Sequence, residues 1–282
     1  MRKSKDMPYH IGLKVKLYLS YQQKHIVAVN DGAKRSVYNL LVSASNEKYR
    51  LSKTAPYCPT DRNRLNYIFS VVSSTAGIKN ALPYLNEEDV DSLAVDNAVR
   101  NYRTAWKNQK ERHTGAPTFK KKSYEQSYQT NAHYYKNSLG HEVSNVRFED
   151  TSHVILPKLG RVRIGGSPKL IRSLINRDAD TRIGTITISR DSAGEYWASF
   201  QIASEKPFRN ELKKTGSKVG IDLNLLELTN DSNGDSAANM RYYKNSADKL
   251  TKAQHKLSRM QEHAKKRWAS FTCFKELSEA TA

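Results

Sequence analysis

Asp222 is the residue of this chain whose setting suggests metal chemistry. It lies in an apolar strand pattern, Val219-Gly-Ile-Asp-Leu223, and a carboxylate there can bind a hard cation such as Mg²⁺. Metal-assisted hydrolysis of a phosphodiester needs several carboxylates that converge on one or two ions. A lone aspartate in a strand is otherwise unremarkable, so the pattern predicts at most a partial catalytic and Mg²⁺ site at Asp222.

Basic side chains are the second group with a recognisable chemistry, because lysine and arginine bind phosphate. The chain has 282 residues, with 47 Lys and Arg against 28 Asp and Glu, and a formal net charge of +19. An excess this large predicts a polyanionic partner, with nucleic acid as the first candidate. The alternative is a basic soluble protein whose charge only aids solubility.

Four basic residues are predicted to share one face of a helix. At 100° per residue, the apolar residues of this helix fall on one arc and the cations Arg100, Arg103, Lys107 and Lys110 fall on another. One face would then pack against the protein while the other contacts phosphate. A solvated basic face is the alternative, since surface lysines and arginines are common.

A basic run, Gly115–Lys122, breaks this helix and adds aromatic side chains. Its three lysines are Lys120, Lys121 and Lys122. The aromatic residues within and after the run are Phe119, Tyr124, Tyr128, Tyr134 and Tyr135. Interleaved cations and rings suit nucleic acid, because the rings can stack on unpaired bases. A flexible surface loop is the alternative.

Other sequence features limit the class of protein. Cys58 and Cys273 are far apart and have no histidine at ligand spacing, so neither a zinc site nor a disulfide framework is predicted. No stretch of about twenty apolar residues is present, and the N-terminus lacks a signal-peptide core. We expect a cytoplasmic, nucleoid-associated protein with no membrane partner, and the oligomeric state stays open.

Apolar periodicity predicts the elements that position the helical cations. A short strand over Lys14–Leu19 leads into a helix over Gln22–Ala44, and a second helical pattern runs from Leu65 to Gly77. A third helix, which carries the four cations, is predicted to begin after an N-cap at Asn86. Acidic residues at positions 87–89 would face the positive end of its dipole.

Strand patterns dominate the second half of the chain. Val154–Ile164 reads as two short strands around a Pro/Gly bend, which place Arg161 and Arg163 on one face as further candidates for phosphate binding. A hairpin from Ile186 to Ile202 follows, so a small antiparallel sheet or barrel is predicted.

A polar linker over Lys206–Ser217 then marks a domain boundary. After it we predict a strand from Val219 through Leu228, a tight turn at Asn233-Gly234, and a long amphipathic helix from Tyr243.

Four segments, taken in order, resemble the TnpB (OrfB) family, which comprises RNA-guided nucleases of bacterial insertion sequences related to type V CRISPR effectors. The segments are Lys14–Gln23 with Arg35–Leu41, then Pro117–Lys122, Leu156–Arg163 and Val219–Leu223. The resemblance implies an α+β fold, in which a wedge-type antiparallel β-barrel (1–20 and 136–208) carries an inserted helical recognition lobe (21–135). An incomplete RNase H-like (RuvC) α/β domain would follow at 216–282.

The same resemblance implies the partners and the chemistry. A guide RNA and a double-stranded DNA target would bind the protein, so that base pairing reads the sequence. Asp222 would be the first ligand of a Mg²⁺ site, since Mg²⁺ is the cofactor of the family. The cations listed above would contact the nucleic acid.

The chain departs from the family after Asp222. No second acidic motif, four-cysteine zinc ribbon or third acidic motif can be placed, because Glu276 and Glu279 follow the long helix too soon. Asn224 also stands where the family usually has glycine. We therefore expect a C-terminally truncated relative that binds nucleic acid without cutting it, with no zinc and no productively bound Mg²⁺. The alternatives are a guided repressor and a nonfunctional decay product of a transposon gene.

Overall fold

The computed structural model describes residues 4–138, 140–166, 168–177, 181–208 and 215–260. Contacts divide the chain into two units, Met1–Asp191 with Glu195–Phe208 and Ser192–Gly194 with Arg209–Ala282. The division after Phe208 falls within the polar linker that the sequence predicts.

The first unit combines a large antiparallel sheet with helices. Its elements are β1 (Tyr9–Tyr18), α1 (Tyr21–Leu51), α2 (Pro59–Ser73), α3 (Thr75–Ala81), α4 (Ser92–Arg112), β2 (Gln126–Asn131), β3 (Tyr134–Lys136), β4 (Glu142–Ser144), β5 (Arg147–Phe148), β6 (His153–Leu156), β7 (Gly160–Gly165), α5 (Pro168–Ile175), β8 (Thr181–Arg190) and β9 (Tyr196–Ser204). Seven strands form one sheet in the order β2-β8-β9-β1-β7-β6-β5, and β3 pairs with β4. Short 3-10 helices lie at Ser4–Asp6 and Pro83–Asn86.

Alternating apolar residues build the core of this sheet. Leu13 and Val15 on β1 lie opposite Phe200 and Ala198 on β9, and all four side chains are buried. The intervening residues of β1 point to the other face, because side chains alternate along a strand. The sheet therefore has one packed face and one face that carries polar and basic side chains.

Strand β2 lies within residues 21–135, the range expected to form a helical recognition lobe. It pairs with β8 along its whole length, so this part of the range is a strand of the sheet, and the bounds of the lobe stay a prediction. This strand is difficult to predict from the sequence, because Gln126–Asn131 is mostly polar and lacks an apolar alternation. Tyr128 and Thr130 are nevertheless buried. Strands β2 and β5 each have one neighbour among the described pairings. Closure into a β-barrel stays a prediction.

The helices form a second core beside the sheet. Ser20 and Gln23 make a capping box that starts α1, and the helix continues past the predicted Ala44 to the buried Leu51. Residues of α1 such as Val37 and Leu41 share this core with residues of α4, including Val95, Ala98 and Tyr102. The helix that carries the four predicted cations is therefore fixed by its apolar side.

Helix α4 begins five residues later than predicted. Asn86 belongs to the preceding 3-10 helix, and Asp91 is the N-cap, whose Oδ1 accepts a hydrogen bond from the Leu93 N–H at 2.9 Å. Both residue types suit an N-cap, so sequence alone does not choose between them. The buried Asn30 decides the matter, because its Oδ1 accepts the Asp91 N–H at 2.8 Å and its Nδ2 donates to the Asp89 carbonyl at 2.9 Å.

The second unit contains short strands and one helix among its described residues. They are β10 (Ile221–Asp222), β11 (Glu227–Asp231), β12 (Ser236–Ala238) and α6 (Tyr242–Ser258). The continuous strand predicted from Val219 through Leu228 is wrong. Asn224 Oδ1 accepts the N–H groups of Leu226 and Glu227, and this local turn bends the chain between β10 and β11.

The predicted turn and helix of the second unit are present. Asp231 Oδ1 accepts the N–H groups of Asn233 and Asp235, and Gly234 takes a positive φ of 92° between β11 and β12. On α6, the half-exposed Leu250, Ala253 and Leu257 keep the predicted apolar spacing. None of the described residues from 215 to 260 is buried.

Candidate nucleic-acid interface

Helix α4 presents a row of cations to solvent. Ala94, Ala98 and Tyr102 are buried on its packed side, and the exposed residues on the opposite arc are Arg100, Arg103, Lys107 and Lys110. The row spans the eleven residues from Arg100 to Lys110, which corresponds to a rise of about 15 Å along the helix. Among the described residues, the row has one ion pair, between Lys107 and Glu111 at 3.7 Å on an exposed surface, so most of its charge is uncompensated.

The basic run after α4 is anchored to α1. Asn39 Oδ1 accepts the Lys120 N–H at 2.7 Å, and Asn39 Nδ2 donates to the Lys120 carbonyl at 3.0 Å. The Lys120 ammonium also lies 5.2 Å from the centre of the Tyr38 ring. Lys121 and Lys122 are exposed beside this anchor. The run is therefore held at one point and is not a free loop there.

A cleft of about 440 Å³ separates this basic run from α4. Its walls come from α1, α4 and residues 120–127, and they include Tyr38, Asn101 and Lys121. At 100° per residue, the α4 residues that line the cleft lie roughly opposite the four exposed cations. The structure thus places the two predicted basic sets on different sides of α4.

Two further cations at the cleft serve the fold. Asp31 is buried on α1 and forms ion pairs with Lys34 at 3.2 Å and Arg35 at 2.9 Å. Asp31 Oδ1 also accepts the Ser127 N–H at 3.1 Å, while Lys34 donates to the Ser127 carbonyl. This network ties the start of β2 to α1, so these cations are less available to a ligand than Lys121.

The aromatic residues divide into buried and exposed sets. Tyr128 is 1% exposed, and burial followed by the charge of Asp91 raises the pKa of Tyr128 well above its ordinary value. It is a core residue, so its predicted stacking on bases is wrong. Tyr124 lies under the Arg190 guanidinium, 3.7 Å from the ring centre. Phe119 and Tyr135 are about half exposed and are the residues of this set best placed to stack on a base.

The outer face of the sheet carries Arg161 and Arg163 with residues that sequence reasoning missed. Both arginines are exposed on β7, opposite the buried Val162 and Ile164, as predicted. The missed residues on this face are Lys14, Lys16, Tyr18 and Trp197. Lys14 lies 4.8 Å from the Trp197 ring centre and Arg163 lies 5.3 Å from that of Tyr18. The alternation of Lys14, Lys16 and Tyr18 was the signal, because these positions share a face in any strand.

Asp222 does not have the surroundings of a metal site within the part of the chain that the structure describes. It is exposed on β10, a strand of two residues, and pairs with Asn230 on β11. No cluster of three or more His, Cys, Asp or Glu residues that could hold a metal occurs in the described ranges. A single exposed carboxylate does not fit Mg²⁺, which demands near-octahedral oxygen coordination.

None of the helices in the described ranges is long and apolar enough to cross a membrane.

No protein-family model matches the chain, and no curated protein matches it. Similar solved structures include the Cas12f1–sgRNA–target DNA complex, with 12% identity, a TM-score of 0.41, and coverage of 97% of this chain and 75% of that chain. Another is the CRISPR–Cas12f ternary complex, with 11% identity, a TM-score of 0.27, and coverage of 95% and 74%. Similarity at these TM-scores assigns neither a site nor an activity to this chain.

Proposed function

We propose that this chain is an RNA-guided, TnpB-like protein that binds nucleic acid and occupies DNA without cutting it. The observation that carries the binding proposal is the row of four exposed cations on α4, held rigidly over about 15 Å. Duplex DNA has one phosphate per about 3.4 Å of each strand, so such a row can meet about four phosphates.

The guided part of the proposal rests on the four segments that resemble the TnpB family. One of the solved structures named above, the Cas12f1 complex, contains an sgRNA and a target DNA, and the proposal extends such partners to this chain. Its basic surfaces on α4, at Lys120–Lys122 and on the outer face of the sheet suit RNA and DNA backbones, which are recognised mainly through their phosphates.

Binding without cleavage is favoured by the surroundings of Asp222. Its exposed carboxylate belongs to no group of three or more potential metal ligands among the described residues, whereas metal-assisted hydrolysis of a phosphodiester uses several carboxylates. We propose no role for zinc.

The binding proposal is tested by measuring affinity for a structured RNA and for a DNA duplex over a range of KCl concentrations. Replacing Arg103 and Lys107 by Gln removes two phosphate contacts, so the slope of log affinity against log salt should become shallower by about 1.4–1.8. A Lys136→Gln/Lys169→Gln control changes the net charge equally at exposed positions away from α4. Equal slopes in the two variants would contradict a binding role for the α4 row.

The guided part has a separate test. RNA that copurifies with the chain from its host is extracted and sequenced. One dominant RNA species supports guided binding, whereas a random sample of cellular RNA contradicts it.

A further inference from the structure

The cleft between α1, α4 and residues 120–127 has the size and lining of a nucleotide pocket. Its volume of about 440 Å³ is retained because α4 contributes small side chains, Ala98 and Ala105, to one wall. Tyr38 forms part of the lining, with its ring held edge-on against Tyr102 at 5.7 Å between centroids. The walls are therefore packed elements. Asn39 fixes the basic run at Lys120, and this segment forms the remaining side of the cleft.

The inner lining offers hydrogen-bonding groups that the fold does not use. The Tyr38 hydroxyl makes no hydrogen bond to any described residue. Burial and then the neighbouring Tyr102 raise the pKa of Tyr38, so the hydroxyl stays protonated and can donate. Asn101 uses its Nδ2 to reach Gln129 at 3.0 Å, which leaves its carbonyl oxygen as an acceptor.

The charges around the cleft are arranged asymmetrically. Lys120 and Lys121 bring two cations to the side formed by the basic run. Asp31 and Glu125 also line the cleft, and Asp31 already neutralises Lys34 and Arg35. A phosphate would be attracted to the lysines but repelled from the carboxylates, whereas the amino and imino groups of a base can donate to carboxylates.

From this arrangement we infer that the cleft binds one unpaired nucleotide of an RNA or DNA strand, with its phosphate at Lys120 and Lys121 and its base facing Tyr38 and Asn101. This inference rests on the proposed function and adds a site that reads a base, separate from the α4 row. The bound nucleotide leaves its stack to enter the cleft, so the site selects single-stranded or locally opened nucleic acid.

The test uses the full chain and short single-stranded RNA and DNA oligonucleotides, each matched with an all-abasic strand that keeps the phosphates. Tyr38→Phe should weaken binding of the base-bearing strands about fivefold, as expected for one lost hydrogen bond, and should leave abasic binding and the salt slope unchanged. Ala105 is half-buried in the wall of the cleft, so the larger side chain of Ala105→Leu would occupy the cleft and should produce the same selective loss. The RNA and DNA arms show which strand supplies the nucleotide.

Tyr102→Phe is the matched control, because its hydroxyl bonds to Ser45 and does not line the cleft. It should bind both kinds of strand as the unaltered chain does. If Tyr38→Phe and Ala105→Leu bind base-bearing strands as tightly as the unaltered chain, the pocket is contradicted while the proposed function stands. If the unaltered chain binds no strand, both are contradicted.

Discussion

Arg161 and Arg163 lie two positions apart on β7, yet their charges have different surroundings. Arg161 donates to Glu149, which raises the pKa of Arg161, and it lies 3.7 Å from Asp150. The N–H of Ser152 and then the His153 side chain hold the pKa of Asp150 below its usual range, so this carboxylate stays charged. Arg163 faces the Tyr18 ring and has no ion pair among the described residues.

This difference predicts unequal roles in binding. Arg163→Gln should weaken RNA binding several-fold and make the salt slope shallower by about 0.7–0.9, because an uncompensated cation is lost. Arg161→Gln should have a smaller effect, since two carboxylates already compensate its charge. Salt titrations of the two variants check this directly. A larger effect at Arg161 would contradict the prediction, because it would mean that Arg161 exchanges its carboxylate partners for phosphate on binding.

At the scale of elements, the basic run depends on its anchor to α1. Asn39 is 81 residues away from Lys120 in sequence and makes both of its amide hydrogen bonds to the main chain of that residue. A segment that is already ordered loses less conformational entropy when it binds, and each backbone residue that must be fixed costs about 1–2 kcal/mol. The anchor should therefore contribute to affinity without contacting the ligand.

Asn39→Ala tests this role. The Lys120 amide should exchange its hydrogen faster, and RNA affinity should fall although no charge is changed. Hydrogen-exchange mass spectrometry of peptides that cover residues 118–124 measures the first effect, and a binding titration measures the second. Asn63→Ala, at an exposed position of α2, is the control. Unchanged exchange at Lys120 would mean that other contacts hold the run.

Local sequence patterns predicted most of these helices and strands, but not the contacts between residues that are distant in sequence. Period-two alternation indicated β7 and the β8–β9 hairpin, and helical periodicity placed the α4 cations opposite its apolar residues. The start of α4 could not be predicted, because the choice of Asp91 over Asn86 depends on Asn30, which is distant in sequence. The cleft escaped prediction for the same reason, since residues of α1 and α4 and the basic run form it together.

The Asn30 bridge itself is open to test. Asn30 is fully buried and bonds to the main chain at Ile26, Asp89 and Asp91. Asn30→Ala should lower the free energy of unfolding by about 2–3 kcal/mol, because it leaves buried main-chain groups unpaired. Urea denaturation measures the change. A loss equal to that of the exposed Asn63→Ala variant would contradict the bridging role.

At the scale of the whole molecule, the described hydrophobic cores belong to the first unit. One core lies under the sheet and the other between the helices, and both are formed by residues up to Phe208. The described residues from 215 to 260 contribute no buried side chain. Burial of apolar surface is the dominant favourable term in folding, so the first unit should fold without the second.

A chain that ends at Phe208 should therefore unfold cooperatively. Its thermal midpoint should match the main transition of the full chain, which calorimetry and circular dichroism can compare. Loss of a cooperative transition would mean that the second unit supplies stability that the described contacts do not contain.

Lysine footprinting of the full chain with and without bound RNA, read by mass spectrometry, tests whether α4 and the basic run bind nucleic acid. We expect RNA to protect Lys107 and Lys110 on α4 and Lys120–Lys122, while the exposed Lys136 and Lys169 react equally in both states. Equal labelling of Lys107 and Lys110 in the free and bound states would contradict the proposal that α4 binds nucleic acid.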